Sequence, residues 1–136
     1  MPAYTPPLFR DRPRHIQVIV GGLAPAVLGV VAGILLGIST GAYWAISILA
    51  AVGGFLAGFE HPDGRGGAER VFIGGAIYGL FLLLAHSVAG THAKVSLGSF
   101  PPLLILVTAI IGMLLGAAGG RIVRAQRERA STARQQ

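Results

Sequence analysis

The stretch Val18–Ile38, VIVGGLAPAVLGVVAGILLGI, decides the fold because its 21 residues include no charged side chain. An apolar run of about 20 residues is long enough to cross a membrane as a helix. Every fourth residue of this run is small or restricts the backbone, a pattern that lets two helices approach closely in lipid. The series consists of Gly21, Pro25, Gly29, Gly33 and Gly37. The stretch therefore predicts a transmembrane helix that packs through its glycines.

The composition of the whole chain agrees with a membrane protein. Of the 136 residues, 53% are hydrophobic and only 12% are charged, about half the charged share of a soluble domain. Such a chain cannot cover its apolar surface with polar groups in water, and its length predicts one compact unit. The sequence contains no cysteine, which excludes disulfides, thiolate metal ligands and a cysteine nucleophile.

Four apolar segments predict an all-α integral membrane protein, a bundle of four transmembrane helices. The predicted spans are approximately residues 16–38, 42–59, 70–89 and 101–123, between a Pro/Arg-rich arm at 1–15 and a basic tail at 124–136. We expect the arm to be irregular, and the tail to continue the last helix for a turn or two. Pro25 is tolerated in lipid where neighbours bond the carbonyl that it frees. Ala24–Ala26 has the small residues of a signal-peptide cleavage site, but the apolar run continues far past it, so we predict an uncleaved span.

The other three spans carry small residues at the same four-residue spacing. The predicted helix-packing positions are Gly54 and Gly58 in the second span, Gly75 and Gly79 in the third, and Gly112, Gly116 and Gly120 in the fourth. Glycines in this arrangement pack helices within one chain or dock one chain on another. The sequence leaves both alternatives open.

The distribution of basic residues predicts the orientation. Ten of the eleven Lys and Arg residues fall in the arm, around the middle loop or at the C-terminal end. The positive-inside rule then places both termini in the cytoplasm. This placement explains the net charge of +6, so we predict no nucleic-acid partner, and we expect the arginine tail to attract anionic membrane lipids. The excess of Arg over Lys, with abundant Ala and Gly, hints at a GC-rich bacterial genome and hence a bacterial plasma (inner) membrane.

The two halves of the chain resemble each other. Val18–Gly22 (VIVGG) matches Val71–Gly75 (VFIGG), and Gly54–Gly58 aligns with Gly112–Gly116. These matches indicate two helical-hairpin repeats, each beginning and ending in the cytoplasm and therefore parallel about an axis along the membrane normal. Chance similarity between glycine-rich helices is the alternative.

Few residues are candidates for a functional site. No Asp, Glu, Lys or Arg lies between the ends of the spans, which argues against a proton-coupled transporter or a selective ion channel. The candidate ligand or gating residues are His86, near the outer end of the third span, and Glu60 and Arg70 beside the middle loop. His86 is either an interfacial histidine bonded to a carbonyl or water, a pH-sensing or ligand residue, or a metal ligand with His92.

The middle loop, GFEHPDGRGGAER at 58–70, groups three carboxylates with one imidazole: Glu60, His61, Asp63 and Glu69. Its His61–Gly64 segment has the residue order of a type I turn, and Gly66 and Gly67 predict slack before the third helix. We expect its carboxylates to pair with Arg65 and Arg70 in a solvated turn; a site for a hard cation or an acid–base pair is the alternative.

The remaining polar and aromatic residues of the spans have structural interpretations. We expect Tyr43 and Trp44 to lie at the membrane boundary, where such side chains are common. Ser47, Ser87 and Thr108 are expected to bond to their own helix backbone or to a neighbouring helix. A polar pore would need more hydroxyls than these.

The sequence predicts a small polytopic membrane protein that is not an enzyme. No nucleophile, oxyanion donor or phosphate-binding motif accompanies the loop, so we predict no catalytic residue, cofactor or metal ligand. The expected role is helix packing and assembly, as a homo-oligomer or as an accessory subunit of a larger membrane complex. The alternative is an oligomeric channel or small-solute transporter, with a pore formed by the glycine-rich helices and gated by His86 or the middle loop.

Overall fold

The computed structural model describes residues 7–133, in which every regular element is a helix and there is no strand. Four helices are long and apolar enough to cross a membrane: α1 (Arg14–Ile38), α2 (Thr40–Gly58), α3 (Gly64–Ala89) and α4 (Leu103–Ala133). The four predicted helices are therefore present. Residues 1–6 of the expected arm and 134–136 of the expected tail lie outside the described residues.

Helix α1 is irregular just before its proline. Phe9–Asp11 form a single 3₁₀ turn, Pro13 precedes the first residue of α1, and a π-helical stretch covers Ile19–Leu23. Pro25 has no N–H to donate to the carbonyl of Gly21, four residues earlier. Arg70 Nη1 of α3 donates to this oxygen at 3.2 Å. A neighbouring helix thus bonds the carbonyl that the proline frees, as predicted.

The helices are joined by connections of very different length. Ser39 alone separates α1 from α2; its backbone is extended, and its Oγ accepts a hydrogen bond from the Ala42 N–H at 3.3 Å. Helix α3 ends at Gly90, which adopts φ +62, a left-handed conformation that suits glycine. The following loop returns to α1, where the Lys94 N–H donates to the Leu36 carbonyl at 2.9 Å.

The predicted turn in the middle loop is wrong. Asp63 has φ −146 and ψ 170, whereas the third residue of a type I turn lies near φ −90 and ψ 0. The Asp63 carboxylate instead accepts a hydrogen bond from the Gly66 N–H at 2.7 Å, the usual role of an aspartate at a helix N-cap. Helix α3 therefore begins at Gly64, and Gly66 and Gly67 are helical rather than slack.

The ends of α4 also differ from the expectation. Pro101 and Pro102 form a turn before the helix instead of its first turn. At the other end the helix continues through Ala133, well beyond the turn or two expected of the tail. Residues 121–133 contain neither Gly nor Pro, and Arg124 pairs with Glu128 one turn later at 2.8 Å, which favours continued helix.

Helix α3 packs between α1 and α4. Its core with α1 contains the two largest fully buried side chains, Leu36 and Leu82, together with Ala32 and Tyr78. Tyr43 of α2 joins this core at 7% exposure, because its ring lies in the cluster. Tyr43 therefore faces the other helices, and its expected position at the membrane boundary stays a prediction.

Backbones approach closely where glycines face a neighbouring helix. A Cβ atom added at Gly29 or Gly33 of α1 would overlap the carbonyl oxygen of Tyr78 or Leu82 in α3. A Cβ at Gly37 would overlap the side chain of Thr91.

The contact between α3 and α4 is the most extensive of the bundle. A Cβ at Gly112 would overlap the Val71 carbonyl oxygen, and one at Gly116 would overlap that of Gly67. Further glycines in such contacts are Gly75 and Gly79 against Thr108, and Gly120 against the Asp63 carbonyl. Gly64 and Gly67, which the spacing rule missed because both were assigned to the loop, take part as well.

Candidate functional site

Helix α2 is attached to the other helices mainly at its two ends. Its two buried residues are Tyr43, in the first turn, and Gly58, the last residue. Gly58 lies against Gly116 and Gly119 of α4, so closely that a Cβ there would overlap the Gly116 carbonyl oxygen. Gly54 is nearer the middle, and a Cβ there would lie 2.9 Å from a Val71 methyl group.

A cavity of about 530 Å³ lies along the middle of α2 and is lined by all four helices. This volume is within the range of small-molecule binding sites. Small residues leave the space: Ala50 and Gly53 line it from α2, and Gly74 lines it from α3. A Cβ at Gly53 or Gly74 would meet no atom within 4 Å.

The cavity opens sideways between α2 and α4. Trp44 and Ile48 of α2 line it and are 52% and 61% exposed, and Ile111 of α4 lines it and is 47% exposed. In a membrane the surface next to these side chains is covered by lipid. If the four helices cross a membrane, this side of the cavity faces the acyl chains.

Three of the hydroxyl groups at the cavity, those of Ser47, Tyr78 and Thr108, are hydrogen-bonded. Ser47 Oγ lies 2.8 Å from the Tyr43 carbonyl, to which it donates, and 3.0 Å from the Tyr78 hydroxyl. Thr108 Oγ1 lies 2.9 Å from the carbonyls of Leu104 and Gly75. These contacts confirm the expected backbone bonding of Ser47 and Thr108, and they leave the cavity wall predominantly apolar.

Arg70 is the one charged residue in the cavity lining. Besides its bond to Gly21, its guanidinium carbon lies 4.3 Å from the centroid of the Phe9 ring. Its Nε is buried and has no hydrogen-bond partner. Within residues 7–133, no carboxylate lies within salt-bridge distance of Arg70.

The N-terminal arm closes the end of the bundle at which Arg70 lies. The Phe9 N–H donates to the Glu60 carbonyl at 2.9 Å, and the Phe9 ring stacks on His61 with centroids 5.8 Å apart. Arg12 Nη2 pairs with Glu60 Oε1 at 2.7 Å, and the two side chains are 28% and 15% exposed. We call these four residues the arm clamp.

The expected pairing of the loop carboxylates is therefore only partly correct. Glu69 pairs with Arg65 at 2.9 Å on the surface, but Glu60 pairs with Arg12 rather than with Arg65 or Arg70. Arg12 lies 48 residues from Glu60, and a contact over that distance leaves no trace in the local pattern of the loop.

His86 lies in the last turn of α3, away from Glu60 and Arg70. Its side chain is partly buried, and Nδ1 is buried without a hydrogen-bond partner in the chain. Of the two expected partners, a carbonyl is therefore not found, and a bond to water stays a prediction. Among residues 7–133, no three His, Asp or Glu side chains are placed to share a metal ion. The structure thus separates His86 from the other two candidate residues and places only Arg70 at the cavity.

No protein-family model matches the chain, and no curated protein or solved structure matches it. The function is therefore inferred from the arrangement of the chain's own residues.

Proposed function

We propose that the protein is a non-catalytic four-span membrane protein that serves as an assembly or accessory subunit, in a homo-oligomer or a larger membrane complex. The observation that carries this proposal is the sparse contact between α2 and its own chain. Of the four helices, α2 is the least buried. A transmembrane helix with few contacts inside its own chain has the most surface available for a neighbouring subunit.

The outer face of α2 has the residues of such a surface. Ile48, Leu49, Val52 and Leu56 are each 48–61% exposed and lie along one side of the helix. In lipid, helices associate through close packing rather than through removal of apolar surface from water. Exposed apolar side chains alone are therefore weak support, and the argument depends on their position on the helix with the least contact inside the chain.

We further propose that the glycine series act mainly inside the chain. Ten of the eleven predicted packing glycines would bring an added Cβ within 3 Å of an atom on a neighbouring segment. Gly21 is the exception, with Arg70 and Phe9 side-chain atoms at 3.5 Å. Because these glycines already pack against other segments of the same chain, they are not available for contact with another subunit. This supports the outer face of α2 as the surface that contacts other subunits.

The proposed setting is a bacterial inner membrane with both termini in the cytoplasm. The basic residues of the arm, the start of α3 and the end of α4 support this orientation under the positive-inside rule. The helical continuation of α4 carries the exposed Arg124 and Arg129 and the half-buried Arg127, which supports attraction to anionic lipid head groups. The hairpin repeat remains a prediction.

A channel or small-solute transporter is less well supported. The hydroxyls of Ser47, Tyr78 and Thr108 at the cavity are already bonded within the chain, and the remaining wall is mainly apolar. A path for a polar solute needs polar groups or water along its length.

Site-directed crosslinking tests the proposed role directly, because the chain contains no cysteine. Leu49→Cys on α2 and Leu114→Cys on α4 replace side chains that are 58% and 62% exposed. Each variant is labelled with benzophenone maleimide in native membranes and irradiated, and the products are identified by mass spectrometry. The proposal predicts a defined protein adduct from Leu49→Cys and only lipid adducts from Leu114→Cys. Lipid adducts from both positions would contradict it, and solute leakage through liposomes containing the pure protein would favour the channel.

A further inference from the structure

The cavity beside α2 has the shape of a site for an extended chain. Its lining runs along α2 from Tyr43 to Ala57, roughly 20 Å at the rise of an α-helix. Along α3 it reaches from Arg70 to Tyr78, roughly 12 Å. The site is thus long, mainly apolar and open to lipid on one side.

The charge at the cavity lies at one end. Arg70 begins the uncharged part of α3, which continues to Ala89 over roughly 28 Å, close to the thickness of the hydrocarbon core. Arg70 therefore lies at the depth where acyl chains give way to head groups. An amphiphile with its chain in the cavity would have its head group beside this guanidinium.

Arg70 has unused capacity to bind an anion. A guanidinium carries five N–H donors, and the structure gives Arg70 a single hydrogen bond, to Gly21. The nearby carboxylate of Glu60 pairs with Arg12 through Oε1, its Oε2 is buried without a hydrogen-bond partner, and neither oxygen is within salt-bridge distance of Arg70. An anionic group would compensate the charge of Arg70, and guanidinium groups bind phosphate oxygens well.

We propose that the cavity binds one acyl chain of an anionic phospholipid, with the lipid phosphate held by Arg70. The chain enters between α2 and α4, past Ile48 and Ile111. The bound lipid fills the space that Ala50, Gly53 and Gly74 leave and supports the middle of α2. This site is independent of the proposed assembly role, because it is formed within one chain.

Lipid retention by the purified full-length protein tests this proposal. Native mass spectrometry from detergent micelles compares phosphatidylglycerol with phosphatidylcholine of the same acyl chains. The wild-type protein should retain one phosphatidylglycerol in preference to phosphatidylcholine. Arg70→Gln should lower phosphatidylglycerol retention by about tenfold, the effect of losing one charge-assisted contact. Arg65→Gln is the matched control, since it removes an 89% exposed arginine of the same helix.

A second pair of variants tests the cavity separately from the charge. Gly74→Leu adds a side chain to the cavity wall, and Gly22→Leu adds the same side chain outside the lining; neither Cβ meets an atom within 4 Å. Gly74→Leu should abolish retention of the bound lipid, while Gly22→Leu should leave it unchanged.

Three results would overturn the proposal: equal retention of both lipids by the wild-type protein, equal effects of Arg70→Gln and Arg65→Gln, or unchanged retention in Gly74→Leu. Release of a copurifying protein by Gly74→Leu, without loss of lipid, would assign the cavity to a partner subunit instead. If Gly74→Leu does not fold, as judged by circular dichroism, the two arginine variants still decide. A failed crosslink at Leu49 would contradict the assembly role and leave the lipid result unaffected.

Discussion

Replacement of Gly116 by alanine should separate α3 from α4. A Cβ at this position would overlap the Gly67 carbonyl oxygen. It would also lie 2.8 Å from the Gly67 carbonyl carbon and 2.7 Å from a Val71 methyl carbon, whereas ordinary van der Waals contacts begin at 3.4 Å. The carbonyl is backbone, so it cannot rotate away as a flexible side chain would. The helices must move apart along their closest contact, and overpacking of this kind costs about 1–3 kcal/mol.

Gly74→Ala is the matched comparison, because the same substitution is made inside α3 where a Cβ meets nothing within 4 Å. Alanine favours a helix over glycine by about 1 kcal/mol, so this variant should be equal to or more stable than the wild-type protein. Stability is measured by reversible unfolding in mixed micelles of increasing SDS content, followed by circular dichroism. Gly116→Ala should therefore unfold at a lower SDS fraction than Gly74→Ala. Equal stability of Gly116→Ala and Gly74→Ala would refute the close approach of α3 and α4.

Two further variants test the polar contacts. Tyr78→Phe should destabilise the protein by roughly 0.6 kcal/mol, the typical value of a hydrogen bond between membrane helices, because Ser47 keeps its bond to the Tyr43 carbonyl. Ser47→Ala should destabilise it more, by about 1–3 kcal/mol, because it leaves the largely buried Tyr78 hydroxyl without its partner. The same SDS titration measures both, and a larger loss for Tyr78→Phe would contradict the assigned network. Glu60→Gln should release the N-terminal arm because it removes the ion pair with Arg12. Trypsin should then cleave the arm faster in inside-out vesicles than in the control variant Glu69→Gln, which loses only a surface pair. Equal cleavage rates would contradict the arm clamp.

The sequence predicts the helices well because lipid imposes a simple rule on the chain. Uncharged runs such as Val18–Ile38 must be helical to satisfy their backbone groups in a membrane, and the structure contains the four expected helices. Helix ends were less predictable. Asp63 was assigned to a turn, although its capping bond starts α3 at Gly64, and α4 continues to Ala133 because nothing in its tail interrupts a helix.

The candidate site depends on contacts that the local pattern does not encode. Arg70 was singled out as a loop residue, but its bond to Gly21 follows from the geometry of Pro25 together with the packing of α3 on α1. The cavity arises because small residues on α2 and α3 come together in the bundle, and each of them separately resembles an ordinary packing position. The sequence signal for the cavity was Gly53 and Gly74, because these two glycines fall outside the four-residue series of packing positions.

The central claim is that four helices cross a membrane with both termini on one side. Since the chain lacks cysteine, single cysteines can be placed on one side at Gly41, in the first turn of α2, and at His92, in the loop after α3. On the other side they can be placed at Arg65 and Ala133. The measurement is labelling of intact bacterial cells with a membrane-impermeant maleimide, before and after permeabilisation. We predict labelling of Gly41→Cys and His92→Cys in intact cells, and of Arg65→Cys and Ala133→Cys only after permeabilisation. Labelling of Gly41→Cys and Ala133→Cys from the same side would contradict the four-span topology.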